Sequence, residues 1–218
     1  KNINNNRIRN LQFLNSSTGA ATIIGISQSL ATTASIYSNK IYDLIATNGA
    51  ASLVRVIQIS SGSTTNVYNN LIGNLQASAS TSGDALRGIN ITSTTTLSNL
   101  NISYNSIYIN GTSSGSGFGS QGLFHTYNAT ASTASLIMKN NIIANTSTPS
   151  GAGITSAFRR SSSTDLNNYN TSSNNNLFYA GTPSATNLIY TDGTNNDQTL
   201  AAFKSRVSPR ESVSISEA

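Results

Sequence analysis

Ile, Leu and Val fall in short clusters along this chain, each broken within 5 to 8 residues by Gly, Ser, Thr or Asn. That rhythm predicts short strands between polar turns and leaves little room for amphipathic helices of about 10 or more residues. Within it one unit returns six times: apolar, two residues, Asn, one residue, apolar. The copies are INNNRI from Ile3, IYSNKI from Ile36, VYNNLI from Val67, ISYNSI from Ile102, IMKNNI from Ile137 and a degenerate SSNNNL from Ser172. Their Asn residues are Asn6, Asn39, Asn70, Asn105, Asn140 and Asn175, at spacings of 33, 31, 35, 35 and 35. A Gly-led apolar stretch lies between units, as in GAATIIGIS from Gly19, GAASLVRVIQIS from Gly49 and GDALRGINIT from Gly83. Each period reads as strand, polar turn, strand, Asn turn, strand.

Helical repeats have similar periods but need long runs of Ala, Leu, Glu and Lys, and a propeller blade needs four strands in about 40 or more residues. Short strands stacked coil on coil remain, so the expected fold is all-β: a right-handed parallel β-helix, a solenoid of about six coils. The stacking gives the Asn a physical reason. Equivalent residues of adjacent coils lie about 4.8 Å apart, so inward Asn side chains can bond to those above and below. Asn also tolerates the left-handed backbone of a tight turn, so both requirements point to the same six residues. Flanking pairs such as Ile36 and Ile41, or Ile102 and Ile107, should stack into buried columns, each side chain contributing about 1.5 to 3 kcal/mol.

IYSNKI, ISYNSI and IMKNNI, with Asn at the turn, resemble the right-handed parallel β-helix repeats of the pectate-lyase-like superfamily, a likeness of fold over nearly the whole chain. The closing segment, TDGTNNDQTLAAFKSRVSPRESVSISE, is similar to a cap-like insertion in large β-helix surface proteins exported by the type IX secretion route of Gram-negative bacteria. That resemblance implies a secreted, multidomain bacterial surface protein, with further domains of the same parent chain as neighbours.

From the residues themselves, 1–196 are expected to form the coils and 197–210 a short amphipathic helix near the C-terminus. Asp197 would be its cap, Leu200, Phe203 and Val207 its apolar face, and Pro209 its stop. In 211–218, the alternation of Val213 and Ile215 reads as the start of a further strand.

Composition narrows the function. Charged residues are 9% of the chain and cysteine is absent. A net charge of +5 on scattered Lys and Arg lacks the clustering a nucleic-acid-binding face needs. No apolar run reaches the length that spans a bilayer, so no membrane insertion is expected. Polysaccharide lyases and hydrolases need paired carboxylates, a Ca²⁺ site or a positioned base. The acids here, Asp43, Asp84, Asp165, Asp192, Asp197, Glu211 and Glu217, are dispersed. Asp43 sits where Asn10 and Asn74 sit in neighbouring periods and reads as a turn residue. His125, the lone histidine, reads as an outward strand residue, and Arg159 with Arg160 as a solvated pair at a loop edge. The segment SSGSGFGSQG from Ser113 lacks the context of a phosphate loop and reads as a flexible surface loop. The expectation is a non-catalytic structural or adhesive segment at the bacterial cell surface, without cofactor or metal, whose partner is a glycan or surface ligand. A carbohydrate-active enzyme, or its glycan-binding remnant, is the competing class.

Overall fold

The computed structural model describes residues 1–14, 19–29, 32–47, 49, 51–161 and 163–217. The chain is a parallel β-solenoid of about five turns with one short helix near its C-terminus. In chain order the strands are β1 (Asn2–Asn4), β2 (Arg7–Phe13), β3 (Thr22–Gln28), β4 (Thr33–Tyr37), β5 (Lys40–Ala46), β6 (Leu53–Ile59), β7 (Thr64–Tyr68), β8 (Leu71–Gln76) and β9 (Leu86–Ile91). They continue as β10 (Asn99–Ser103), β11 (Ser106–Ile109), β12 (Ser120–His125), β13 (Ser135–Lys139), β14 (Ile142–Asn145), β15 (Thr155–Arg160), β16 (Leu177–Tyr179), β17 (Asn187–Thr191) and β18 (Asn196–Asp197). Three sheets result. The first has the order β1-β4-β7-β10-β13, the second β2-β5-β8-β11-β14-β16, and the third β3-β6-β9-β12-β15-β17. Every pairing within these orders is parallel, and β18 adds to β17 antiparallel.

The register turns repeated sequence into columns. Ile3, Ile36, Val67, Ile102 and Met138 align across the first sheet. Ile8, Ile41, Ile72, Ile107, Ile143 and Phe178 align across the second. From Ile36 and Ile41 onward both columns are closed to solvent. In the third sheet Gly122 faces inward where the wall runs close to the second sheet. A Cβ there would meet the Ala157 carbonyl oxygen at 2.6 Å and the Ile143 side chain, so only glycine fits without movement.

The glycine-rich segment from Ser113, expected to be a flexible loop, is instead packed. Phe118 is fully buried, and Gly117 lies against the Thr81 carbonyl of the preceding coil, 2.7 Å from where its Cβ would stand. The glycines serve close backbone approach between stacked loops.

The C-terminal end also differs from expectation. The helix α1 (Leu200–Val207) is shorter than 197–210, and its N-cap is Thr199, whose hydroxyl accepts from the Ala202 N–H at 3.3 Å. Asp197 lies instead in β18 and holds Arg206 through two bonds of 2.6 and 2.8 Å. Phe203 plugs the solenoid, with Phe158, Phe178 and Tyr190 at ring-centroid distances of 6.2, 5.4 and 4.9 Å. Beyond it a single bridge joins Ile215 to Leu177, and Val213 and Ile215 point outward while Ser214 is buried. The alternation is present but faces the opposite way, because Ser214 is needed inside.

Candidate functional site

The Asn column is the most regular polar feature. The amide Nδ2 of Asn6 donates to Oδ1 of Asn39 at 3.0 Å, Asn39 to Asn70 at 2.9 Å, and Asn70 to Asn105 at 2.9 Å. Each Oδ1 also accepts the backbone N–H of the preceding ladder residue, as Asn70 Oδ1 does from Asn39 N at 3.1 Å. From Asn105 the ladder passes to Asn141 at 3.0 Å and then to Asn176 at 2.9 Å. Asn140 and Asn175, expected in the column, are the residues just before it. Their φ angles are +57° and +61°.

This separates two roles that the sequence merges. In every coil the left-handed residue precedes the ladder Asn: Asn5, Ser38, Asn69, Tyr104, Asn140 and Asn175 all have positive φ. The ladder residue itself is inward and, from Asn39 onward, buried. Where two Asn are adjacent, sequence alone does not say which does which, and a one-residue slip reverses inside and outside. Ile142, a core position in the slipped alignment, is accordingly half exposed, and Ile143 fills the core. Asn10, Asp43 and Asn74 form a second left-handed column, with Asn74 Nδ2 donating to Asp43.

The ladder ends on a carboxylate. Asn176 Nδ2 donates to Oε2 of Glu211 at 2.9 Å, while its backbone N–H donates to the Ser214 hydroxyl at 2.9 Å. The two residues divide what a single Asn accepts in the other coils. Glu211 also accepts from the hydroxyls of Tyr169 and Ser214. Burial pushes its carboxyl pKa upward, against the pull of those donors.

His125 and Arg160 face inward, contrary to expectation. His125 takes the register of Ile59 and Ile91, and Arg160 follows it in the next coil. Both are fully buried. The His125 Nε2–H donates to the Ala134 carbonyl at 2.9 Å, and Nδ1 has no partner among the described residues. Burial, and then the charge of Arg160, lowers its pKa to about 3, so the ring is neutral. Arg160 is held by the Asn168 Oδ1 and the Asp165 carbonyl, each at 2.5 Å. A base so enclosed has no access to a polymer.

Arg159, the neighbour, points outward as strand alternation requires. It meets Asp84 at 2.9 Å, and Asp84 also meets Arg87 at 2.6 Å. Arg87 stacks over Phe124 at 3.7 Å, and Arg55 donates to the Asp84 carbonyl at 2.5 Å. Burial, and then Arg87, lowers the Arg55 pKa to about 9. This cluster ties the loop before β9 to the third sheet. Among the described residues no group of three or more His, Cys, Asp or Glu side chains could hold a metal.

No family model, curated protein or solved structure matches this chain. Its chemistry therefore rests on its own residues.

The outer face of the second sheet carries a regular aromatic row, which none of the residues expected from sequence belongs to. Three residues after the ladder Asn, the outward position is Arg9, Tyr42, Gly73, Tyr108, Ala144 and Tyr179 in successive coils. The Gly73 position faces the Tyr108 carbonyl at 3.7 Å, which completes the register. Tyrosine thus recurs on alternate coils with a small residue between. Its signal in the sequence is NKIY, NSIY and NLFY, from Asn39, Asn105 and Asn176.

Proposed function

We propose that this chain is a non-catalytic structural or adhesive segment of a secreted bacterial cell-surface protein. The observation that carries this reading is how the acids are spent. Asp84 and Asp197 are paired with arginines. Asp43 is bonded to Asn74, Asp192 accepts the N–H groups of Thr194 and Asn195 in its own turn, and Asp165 accepts from Asn167. Glu211 closes the ladder. Acid–base cleavage of a glycosidic bond needs two carboxylates about 5 to 9.5 Å apart and open to substrate. Six of the seven acids are committed elsewhere, and Glu217 lines the cavity beside Tyr179 with no second carboxylate in its walls. The enclosure of His125 speaks against β-elimination through a histidine base.

The type IX export route and the place within a larger surface protein are proposed from the likeness of the closing segment to that class. A solenoid suits the task, since length is added coil by coil without altering the cross-section.

The purified chain is expected to release neither unsaturated products nor reducing ends from pectins, alginates and glycosaminoglycans, with or without Ca²⁺. Absorbance of unsaturated uronates and a reducing-end assay would check this. Turnover by pure protein that disappears on changing Arg159 would overturn the reading and favour a polysaccharide lyase.

A further inference from the structure

We infer that the outer face of the second sheet binds an extended, uncharged β-1,4-linked polysaccharide through the row Tyr42, Tyr108 and Tyr179. The inference rests on the adhesive half of the proposed function and specifies its ligand class. Adjacent coils are separated by one strand spacing, and the stacked rings of Tyr37 and Tyr68 on the neighbouring sheet measure it directly at 4.8 Å. Tyrosines on alternate coils therefore lie about 10 Å apart along the solenoid axis. In an extended β-1,4-linked chain successive rings are flipped, so every second ring presents the same face, at a comparable repeat. A sugar face laid on a tyrosine gains flat apolar contact and stacks on the ring. Gly73 and Ala144 leave the rise between tyrosines open for the alternate ring.

The surroundings select an uncharged chain. Along this face from the third coil onward, the outward positions flanking the ladder are Leu71, Gly73, Ser106, Tyr108, Ile142 and Ala144. None is charged, and Tyr108 is 49% exposed. The cations of this face are confined to the first two coils, where Arg9 and Lys40 flank Tyr42 and the Arg7 guanidinium lies 5.5 Å from its ring centroid. Tyr42 is thus the charged end of the row and Tyr108 its open stacking face. Hydrogen-bonding groups stand beside the row, including the Thr146 hydroxyl, which donates to the Tyr108 hydroxyl at 3.3 Å. At its C-terminal end Tyr179 forms one wall of a cavity of about 350 Å³ that also involves Pro183, Gln198, Thr199, Leu200 and Glu217, whose carboxylate can accept from sugar hydroxyls and would repel an anionic chain. The row thus runs from an open face into a recess with both apolar and polar walls, the composition expected of a sugar site.

Adsorption to microcrystalline cellulose and to chitin, with starch granules as an α-linked comparison, tests this. The intact chain is expected to partition onto cellulose or chitin and not onto starch. Tyr108→Ala should lower the partition coefficient about fivefold, the loss of one stacking contact, and Tyr42→Ala with Tyr108→Ala should lower it further. Tyr104→Ala, which removes an exposed ring outside the row, should leave it unchanged. These side chains point outward, and thermal melts of each variant would show the fold intact. Absence of adsorption to both β-1,4-linked solids overturns the inference, as does adsorption that survives loss of Tyr42 and Tyr108. Starch binding that survives those substitutions leaves an adhesive role standing but removes this site. Soluble sugar released from cellulose or chitin in the same tubes would instead refute the non-catalytic reading.

Discussion

Asn105→Leu is expected to destabilise the fold by about 3 kcal/mol or more, read as a lower denaturant midpoint. Asn105 Oδ1 accepts from Asn70 N at 3.1 Å and Asn70 Nδ2 at 2.9 Å. Its Nδ2 donates to Asn141 Oδ1 at 3.0 Å, to the Val67 carbonyl at 2.9 Å and to the Ser103 carbonyl at 3.1 Å. Leucine matches the volume but satisfies none of them. The cost is dominated by what is left behind, since each buried donor or acceptor stripped of its partner forfeits about 1 to 3 kcal/mol. Asn110→Leu, at an exposed position outside the column, should change little. Asn140→Gly gives the sharper comparison: it keeps the left-handed turn and leaves the ladder untouched, so it should cost far less than Asn141→Leu. Equal losses at Asn140 and Asn141 would remove the ladder as the source of stability.

Acidification is the second large effect, and His125 is its main source. Its pKa is about 3 in the folded chain against an ordinary 6.5, so below pH 6.5 the unfolded chain takes up a proton that the folded chain refuses. Stability attributable to the neutral ring is full above pH 6.5 and is lost as the pH falls toward 3. At about 1.4 kcal/mol per unit the complete loss is on the order of 5 kcal/mol. Glu211 works in the opposite sense. Its raised pKa means that the folded chain takes up its proton first, which adds stability on the acid side. His125→Ile extends the column begun by Ile59 and Ile91 and leaves Glu211 in both proteins, so the difference between the two isolates the histidine. Urea melts at pH 7, 5.5 and 4 should show a steep fall for the parent and a flatter one for the variant. Identical slopes would mean that His125 is not the acid-sensitive group.

The repeat spacing makes the solenoid and the first four ladder residues legible, because period and side-chain chemistry agree at Asn6, Asn39, Asn70 and Asn105. In the last two coils the same pattern lands one position early. Each contains adjacent asparagines, one suited to left-handed backbone and one to the interior, and only pairing with the neighbouring coil tells them apart. His125 reads as outward because a lone histidine in a strand has no visible partner in the sequence around it. Its partners, the Ala134 carbonyl and the Arg160–Asn168 pair, come from other parts of the coil. Arg159 and Arg160 are separable in principle from sequence, since neighbours in a strand face opposite sides. The tyrosine row is hard to see because its period is two coils, so a search for one-coil repeats meets three matches and three gaps.

The hydrogen bonds between ladder amides all run one way: each Nδ2 donor lies on the N-terminal side of the Oδ1 that accepts from it. Six amide dipoles so aligned add head to tail, as peptide dipoles do in a helix, with the positive end at Asn176. Glu211 stands at that end, a negative charge facing the terminus of an array of N–H dipoles, the same complementarity that places anions at helix N-termini. The array also carries a direction that cannot be reversed piecemeal. Turning over a single amide would set two oxygens against each other on one side and two NH₂ groups on the other, so orientation is a collective property of the column, propagated from coil to coil and anchored at one end by a carboxylate.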